Sequence, residues 1–181
     1  MFTPDGYSMK IENQSRQNKA KEMTEKEKDS YLSEHVYYGR QMLEETVKII
    51  NKCKTNLVNR RDSQIILNAC IESFGGHARA FIEFFQLPMQ RRFEQDVRAC
   101  LFVNATVAAE LDKMANRLGD VKKRADRQLA HLSTDREQKE GWDMEKILSD
   151  LNEMFAIFDQ ARQQGTSEKT AATTRKPRPG Q

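Results

Sequence analysis

The sequence predicts an all-α protein, an up-and-down bundle of four long helices with one or two shorter helices. Through most of the chain, apolar residues recur at intervals of three, four and seven, the spacing of one helix face. Gly and Pro, which sheet proteins need at their many turns, number only 8 and 4 among 181 residues. Charged residues make up 31% of the chain and hydrophobic residues 38%, a mixture that favours amphipathic helices around one core.

The first two predicted helices form the N-terminal half of this bundle. The periodic apolar residues of the first are Leu32, Val36, Leu43, Val47, Ile50 and Leu57. A polar run at 59–62 ends it, and Asp62 or Ser63 can cap the next helix. The second helix is the most hydrophobic and should be central, although Gly75 and Gly76 each cost about 1 kcal/mol relative to Ala. Such a cost indicates close approach by another backbone, either at a tight helix crossing or in a homodimer.

The remaining helices follow the same periodic pattern. A short helix under the core is expected within 91–103. The next helix begins at Asn104 or Thr106 and pauses near 119–120 before it continues. Asp143 caps a last helix. The apolar stripe of that helix consists of Met144, Ile147, Leu148, Leu151, Phe155 and Phe158.

Polar segments flank the predicted bundle, which spans residues 30–163. Residues 1–29 carry few bulky aliphatic side chains, so we expect them to be disordered or frayed. Residues 164–181 are rich in Ser, Thr, Lys and Pro and are expected to form a disordered basic tail. The net charge of +3 argues against a protein that coats nucleic acid but permits a local basic site.

Cysteine usage and hydropathy predict a soluble, cytoplasmic protein. The three cysteines are odd in number, far apart and without a CxxC pair, which favours free thiols in a reducing compartment. No apolar run approaches the roughly 20 residues of a membrane span, and the N-terminus lacks the apolar core of a signal peptide. Three scattered histidines and no spaced carboxylate pair make a poor ligand set. We therefore expect no metal, no cofactor and no membrane partner.

Basic residues converge on one histidine, His131. In an α-helix, Arg124, Arg127 and His131 would share one stripe, because positions four and seven apart are near neighbours. Lys123 and Arg136 add positive charge nearby, and acidic neighbours neutralise part of it. Permanent cations beside an imidazole that titrates near neutral pH suit a phosphodiester. The other interpretation is a solvated set on a surface helix, and the Arg-to-His spacing by itself is close to chance.

The two other histidines lie in the N-terminal half of the chain. His35 has polar neighbours on the first predicted helix and is expected at the surface. His77 follows the glycine pair on the central helix, where an imidazole is either buried and hydrogen-bonded or reactive. With Arg79, two residues later, it forms a candidate accessory pair for the His131 site.

The order of these features resembles the HEPN family. A central apolar helix carries His-Ala-Arg at 77–79 and an aromatic run. Arg124, six residues and His131 then match the family's Arg-to-His motif, followed by Trp142 and an amphipathic helix. The similarity covers about residues 32–160. It is strongest to a subgroup with an Ala-His-Leu-(Ser/Thr)-x-x-Arg string ahead of the Trp.

The resemblance implies a small helical bacterial domain of toxin–antitoxin or phage-defence systems. It implies a homodimer whose paired motifs meet in a cleft, and a metal-independent ribonuclease as activity. Arg124 would hold the scissile phosphate, and His131 would act as general acid or base. The implied partners are RNA and a cognate antitoxin or another protein. The candidates for substrate binding or for orienting these groups are Arg127, Arg136, Lys123 and Asp126.

Two other function classes are open at this stage. A non-catalytic helical module could bind RNA, a nucleotide or a protein in the same groove, and Ala125, where active members often carry a polar residue, favours it. A small-molecule sensor would need the aromatic run at 81–85 to line a cavity. The nuclease hypothesis requires Arg124 and His131 exposed in a shared cleft, whereas the module does not.

Overall fold

The computed structural model describes residues 23–56, 61–87, 96–130 and 141–174, and within them the side chains of 23–53, 64–87, 96–129 and 141–165. Every regular element in these ranges is helical, so the predicted all-α bundle is confirmed. The helices are α1 (Glu25–Tyr31), α2 (Tyr38–Asn56), α3 (Arg61–Phe85), α4 (Ala105–Arg117), α5 (Gly119–Ala125) and α6 (Met144–Thr174). Two π-helical segments, Leu32–Tyr37 and Asp126–Ala130, follow α1 and α5, and a 3₁₀ turn precedes α4.

Helix α3 is the central helix, as its hydrophobicity predicts. It contacts α2, α4, α5 and α6. The core around it is aromatic: the Phe85 ring lies 5.2 Å from Phe155, and the Phe84 ring lies 5.5 Å from Phe158. The aromatic side chains of the run at 81–85 are buried in this core, which argues against the sensor.

Local caps set several helix ends. Asn104 Oδ1 accepts a hydrogen bond from the Val107 amide at 3.0 Å, and Asp143 Oδ1 accepts one from the Lys146 amide at 3.1 Å. Both match the predicted helix starts. The expected caps of α3, Asp62 and Ser63, are wrong, because α3 already begins at Arg61 and both residues lie inside the helix.

Two helices extend past the predicted limits of the bundle. Thr24 and Glu27 form a reciprocal capping box, which starts α1 before the expected limit at residue 30. At the other end α6 continues to Thr174, beyond the expected limit at residue 163. Propagation adds one hydrogen bond per residue to an existing helix, so a polar sequence can extend a helix that it would not nucleate. Of the expected short helix at 91–103, only the 3₁₀ turn Ala99–Leu101 lies in the described residues.

The two glycines inside α3 have different surroundings. A Cβ on Gly75 would overlap Leu129 Cδ1 and lie 3.4 Å from Trp142 Cη2. The three atoms nearest to this position thus belong to the side chains of Leu129 and Trp142, and Leu129 lies in a segment that packs against α3. Gly76 is exposed, and a Cβ there would meet nothing within 4 Å. A homodimer contact at Gly76 stays a prediction.

Candidate functional site

The segment that carries the predicted motif leaves α-helical geometry at Asp126. Residues Asp126–Ala130 are π-helical, so the rotation per residue that would align Arg124, Arg127 and His131 does not apply. His131 and Arg136 lie outside the described residues, as does the predicted polar loop at 134–141 up to residue 140. The structural site is therefore built from the half of the motif that precedes His131.

Arg124 connects α5 to the start of α6. Its Nε donates to Gln128 Oε1 at 2.9 Å, and its Nη1 donates to the Gly141 carbonyl oxygen at 3.3 Å. Its guanidinium carbon lies 5.0 Å from the centroid of the Trp142 ring, within the range of a cation–π contact. The side chain is half-buried. These three contacts hold the guanidinium in one position.

Arg124 lines a pocket of about 610 Å³ between α4, α5 and α6. Such a volume falls within the usual range of small-molecule sites. The apolar part of the lining consists of Met114, Leu118, Val121, Trp142, Ile147 and Met154. The charged part consists of Arg117, Asp120, Arg124, Asp143, Lys146, Asp150 and Glu153. The lining is therefore mixed in sign, not a cationic cradle.

Most of these charges already have partners. Lys146 Nζ lies 2.9 Å from Asp150 Oδ2, and Asp120 Oδ1 lies 3.5 Å from Lys123 Nζ. Arg117 on α4 and Glu153 on α6 are both exposed, and neither forms an ion pair or side-chain hydrogen bond with another described residue. In the described part of the pocket, these two charges are therefore the ones that a ligand could engage without displacing an ion pair or a hydrogen bond of the protein.

A second set of charges connects the same segment to α3. Asp126 forms an ion pair with Arg79, whose guanidinium also lies 3.5 Å from Glu83. Glu83 in turn lies 3.0 Å from Lys122 Nζ on α5. Asp126, predicted to orient an Arg or the imidazole, therefore contacts Arg79. The network holds the π-helical segment against α3.

The remaining predicted basic residues do not join the pocket. Arg127 and Lys123 are both exposed, and neither is among the residues that line the cavity. Arg124 and Arg127 thus face different surroundings, although the sequence placed them on one stripe. That Arg127 and Lys123 bind substrate stays a prediction.

His77 and His35 also lie apart from the pocket lining. His77 is half-buried, and burial lowers the pKa of its imidazole below the usual range. A Cβ on Gly39 of α2 would lie 3.6 Å from His77 Nδ1, so the imidazole packs at the α2–α3 contact. His35 is exposed, as predicted, with its ring 4.8 Å from the Tyr31 ring.

Sequence reasoning missed two charged residues at the pocket, Arg117 and Glu153. Arg117 precedes the predicted pause at Gly119, and Glu153 lies in the polar part of the last amphipathic helix. Neither belongs to a motif, and only the packing of α4 against α6 brings them to one cavity. Trp142 entered only through the family resemblance.

Comparisons of the chain with family models, with curated proteins and with solved structures found no match. No described helix is long and apolar enough to cross a membrane. The three cysteines carry free thiols. Within the described ranges, no group of three His, Cys, Asp or Glu side chains is placed to hold a metal ion.

Proposed function

We propose that this chain is a HEPN-like, metal-independent ribonuclease that acts as a toxin or phage-defence effector. The observation that carries the proposal is the position of Arg124. Its guanidinium is held by Gln128, Gly141 and Trp142 at a pocket wide enough for part of a nucleotide. The same helical segment runs to residue 130, so His131 follows directly in the chain. A pre-positioned guanidinium is what stabilisation of a phosphoryl transition state requires.

The reaction that suits these groups needs no metal, because RNA supplies its own nucleophile. The 2′-hydroxyl oxygen attacks the neighbouring phosphorus, and the bond from phosphorus to the 5′-oxygen breaks. The products are a 2′,3′-cyclic phosphate and a 5′-hydroxyl. His131 would accept the proton of the attacking hydroxyl or donate one to the leaving oxygen, a contribution typically worth about 10²- to 10⁴-fold. Arg124 would stabilise the charge that develops on the phosphate oxygens.

A homodimer belongs to this proposal. The protomer has a net charge of only +3, and the described pocket contains carboxylates beside its cations. Two copies of the 122–136 segment facing each other across a two-fold axis would double the cationic density next to one phosphate. The partner copy would therefore complete the site.

The alternative is a non-catalytic HEPN-like module that binds RNA, a nucleotide or a protein partner. It is favoured by the hydrogen bonds of Arg124, which donates to Gln128 and to the Gly141 carbonyl inside its own chain. A guanidinium used in this way serves to join α5 to α6. In that case the groove keeps its shape for binding without any cleavage.

Cleavage of a mixed-sequence RNA in the presence of EDTA tests the nuclease. We expect the wild-type chain to produce 2′,3′-cyclic phosphate ends, and His131→Ala to reduce the rate by about 10²-fold or more. Arg124→Lys keeps the charge but loses the planar fork of donors, so it should cleave more slowly than the wild type. Lys113→Ala is the matched control, because Lys113 is exposed on α4 and outside the pocket lining.

The dimer and the fold are measured on the same samples. Sedimentation gives the oligomeric state, and circular dichroism shows whether each variant keeps its helices. Absence of cleavage by a folded dimeric wild-type chain would contradict the nuclease, and so would equal cleavage by wild type and both site variants. RNA binding without cleavage would favour the module.

A further inference from the structure

The pocket beside Arg124 has features that indicate which ligand it binds. The inference rests on the proposed action of the chain on RNA. We infer that this pocket binds a single nucleotide of the strand with its base unstacked, and that the base is guanine. The cavity combines three kinds of surface. They are an apolar floor, the exposed carboxylate of Glu153 and the exposed guanidinium of Arg117, and neither of these two charges forms an ion pair with another described residue.

The apolar floor suits a flat ring. The half-buried side chains of Met114 and Val121 supply aliphatic surface, and the half-buried Trp142 indole supplies an aromatic one. Proteins that recognise unpaired bases place them against aromatic and apolar side chains in this way. A volume of about 610 Å³ accommodates a ring system of nucleotide size with room for its sugar.

The charged rim suits the rest of a nucleotide. Arg117 presents a planar fork of donors, which matches a phosphate group. Glu153 lies on α6, and α6 packs against the α4 helix that carries Arg117. A ligand that spans this cavity therefore meets a cation, which suits an anionic group such as a phosphate. It also meets an anion, which suits an edge that donates hydrogen bonds. A wholly apolar ligand would use neither.

The carboxylate selects among the four bases. A deprotonated carboxylate only accepts hydrogen bonds, and its two oxygens accept best from two parallel donors. Guanine offers two adjacent donors on its Watson–Crick edge, N1–H and N2–H. Adenine and cytosine each offer one exocyclic amine beside a ring acceptor, and uracil offers one N–H between two carbonyl oxygens. Glu153 thus favours guanine.

The chain provides its own probe for this binding. Trp142 is the only tryptophan and lines the pocket, so its fluorescence reports what enters. We expect guanosine 5′-monophosphate to change the emission and to bind about tenfold more tightly than the adenosine, cytidine and uridine monophosphates. One additional hydrogen bond to a charged group gives at least about that factor.

Two pairs of variants separate base from phosphate recognition. Glu153→Gln should reduce the affinity for the guanine nucleotide by about tenfold and leave the other three nearly unchanged. Glu110→Gln is its control, since Glu110 is exposed on α4 and does not line the pocket. Arg117→Ala should weaken all four nucleotides alike, and Lys113→Ala should weaken none.

The outcomes distinguish this inference from the proposed nuclease. Equal affinity for all four nucleotides, or a guanine preference that survives Glu153→Gln, would overturn the inference. A fluorescence signal that responds to no nucleotide at all would also overturn it. Cleavage of RNA without preference for guanine would do so while the nuclease stands. Selective binding of the guanine nucleotide by a chain that cleaves nothing would support the inference and sink the nuclease.

Discussion

The two halves of α3 are both rich in apolar residues, but these residues have very different environments. In the C-terminal half, Phe81 and Phe85 are buried against aromatic rings of α6. In the N-terminal half, Ile65 and Ile66 are 60% and 48% exposed, although the sequence predicts a wide apolar arc along the whole helix. Hydrophobicity by itself therefore does not identify the core of this helix. The difference depends on which other helices pack alongside each half.

The largest expected effect is the contrast between truncations in these halves. Phe85→Ala removes a ring that is 1% exposed and has close aromatic neighbours, so it should lower the free energy of unfolding by about 3–5 kcal/mol. Ile65→Ala should change it by less than about 0.5 kcal/mol, because the side chain is already in solvent. Denaturant unfolding of both variants measures the contrast. A large, concentration-dependent loss in Ile65→Ala would instead indicate that a second copy covers this face.

The glycine pair divides α3 on a finer scale. Gly76→Ala should stabilise the chain by about 1 kcal/mol, since the new methyl group meets no described atom and Ala is the better helix former. Gly75→Ala gains the same propensity but forces the Leu129 side chain, which packs beside Trp142, to move, and overpacking of this kind typically costs about 1–3 kcal/mol. Thermal unfolding and Trp142 emission check the pair. Equal stabilities with unchanged emission would mean that Leu129 does not occupy the space beside Gly75.

A structural feature of this molecule can be predicted from the sequence when it depends on residues that are neighbours in the chain. The caps Asn104 and Asp143 and the stripe of α6 follow from neighbouring residues, and the structure confirms them. The filling of the Gly75 site by Leu129 depends on contact between elements far apart in the chain. The same holds for the cavity shared by Arg117 and Glu153. Side-chain periodicity contains no information about such pairings.

The π-helical segment is a further limit on sequence reasoning about the site. The shared stripe of Arg124 and Arg127 assumes α-helical rotation, and one changed hydrogen-bond register removes that assumption. In place of that alignment, the π-helical segment contacts α3 through the ion pair of Asp126 with Arg79. The identity of Arg124 as a candidate was available from the sequence, but its partners were not.

A smaller effect on stability is expected from the ion pairs that connect Arg79 on α3 to Asp126 and Glu83. Arg79→Gln should destabilise the chain by about 1 kcal/mol or less, because Arg79 and Asp126 are 41% and 35% exposed and solvent screens the pair. The loss should shrink at high salt. Lys48→Gln is the control, since it breaks a more exposed pair, in which Lys48 and Glu45 are 59% and 50% exposed. An effect of Arg79→Gln that is independent of salt would assign its role to packing instead of charge.

The smallest expected effect is a pH dependence that originates at His77, near the middle of α3. Burial lowers the pKa of its imidazole in the folded state below the ordinary value of 6.5. Between the two pKa values the unfolded chain binds more protons than the folded chain, so folding stability falls as the pH is lowered through about 6.5. The contribution is complete above that pH and is lost toward the lower, folded-state pKa.

Thermal unfolding of His77→Gln against wild type isolates this contribution. The wild-type chain should lose more stability than the variant over the acidic step, while His35→Gln should follow the wild type, because His35 is exposed. If all three chains lose stability equally, His77 is not the source of the acid sensitivity, and its imidazole is more hydrated than its packing at the α2–α3 contact indicates. If wild type and His35→Gln lose stability and His77→Gln does not, the titrating group is His77, which lies between the exposed and buried halves of α3.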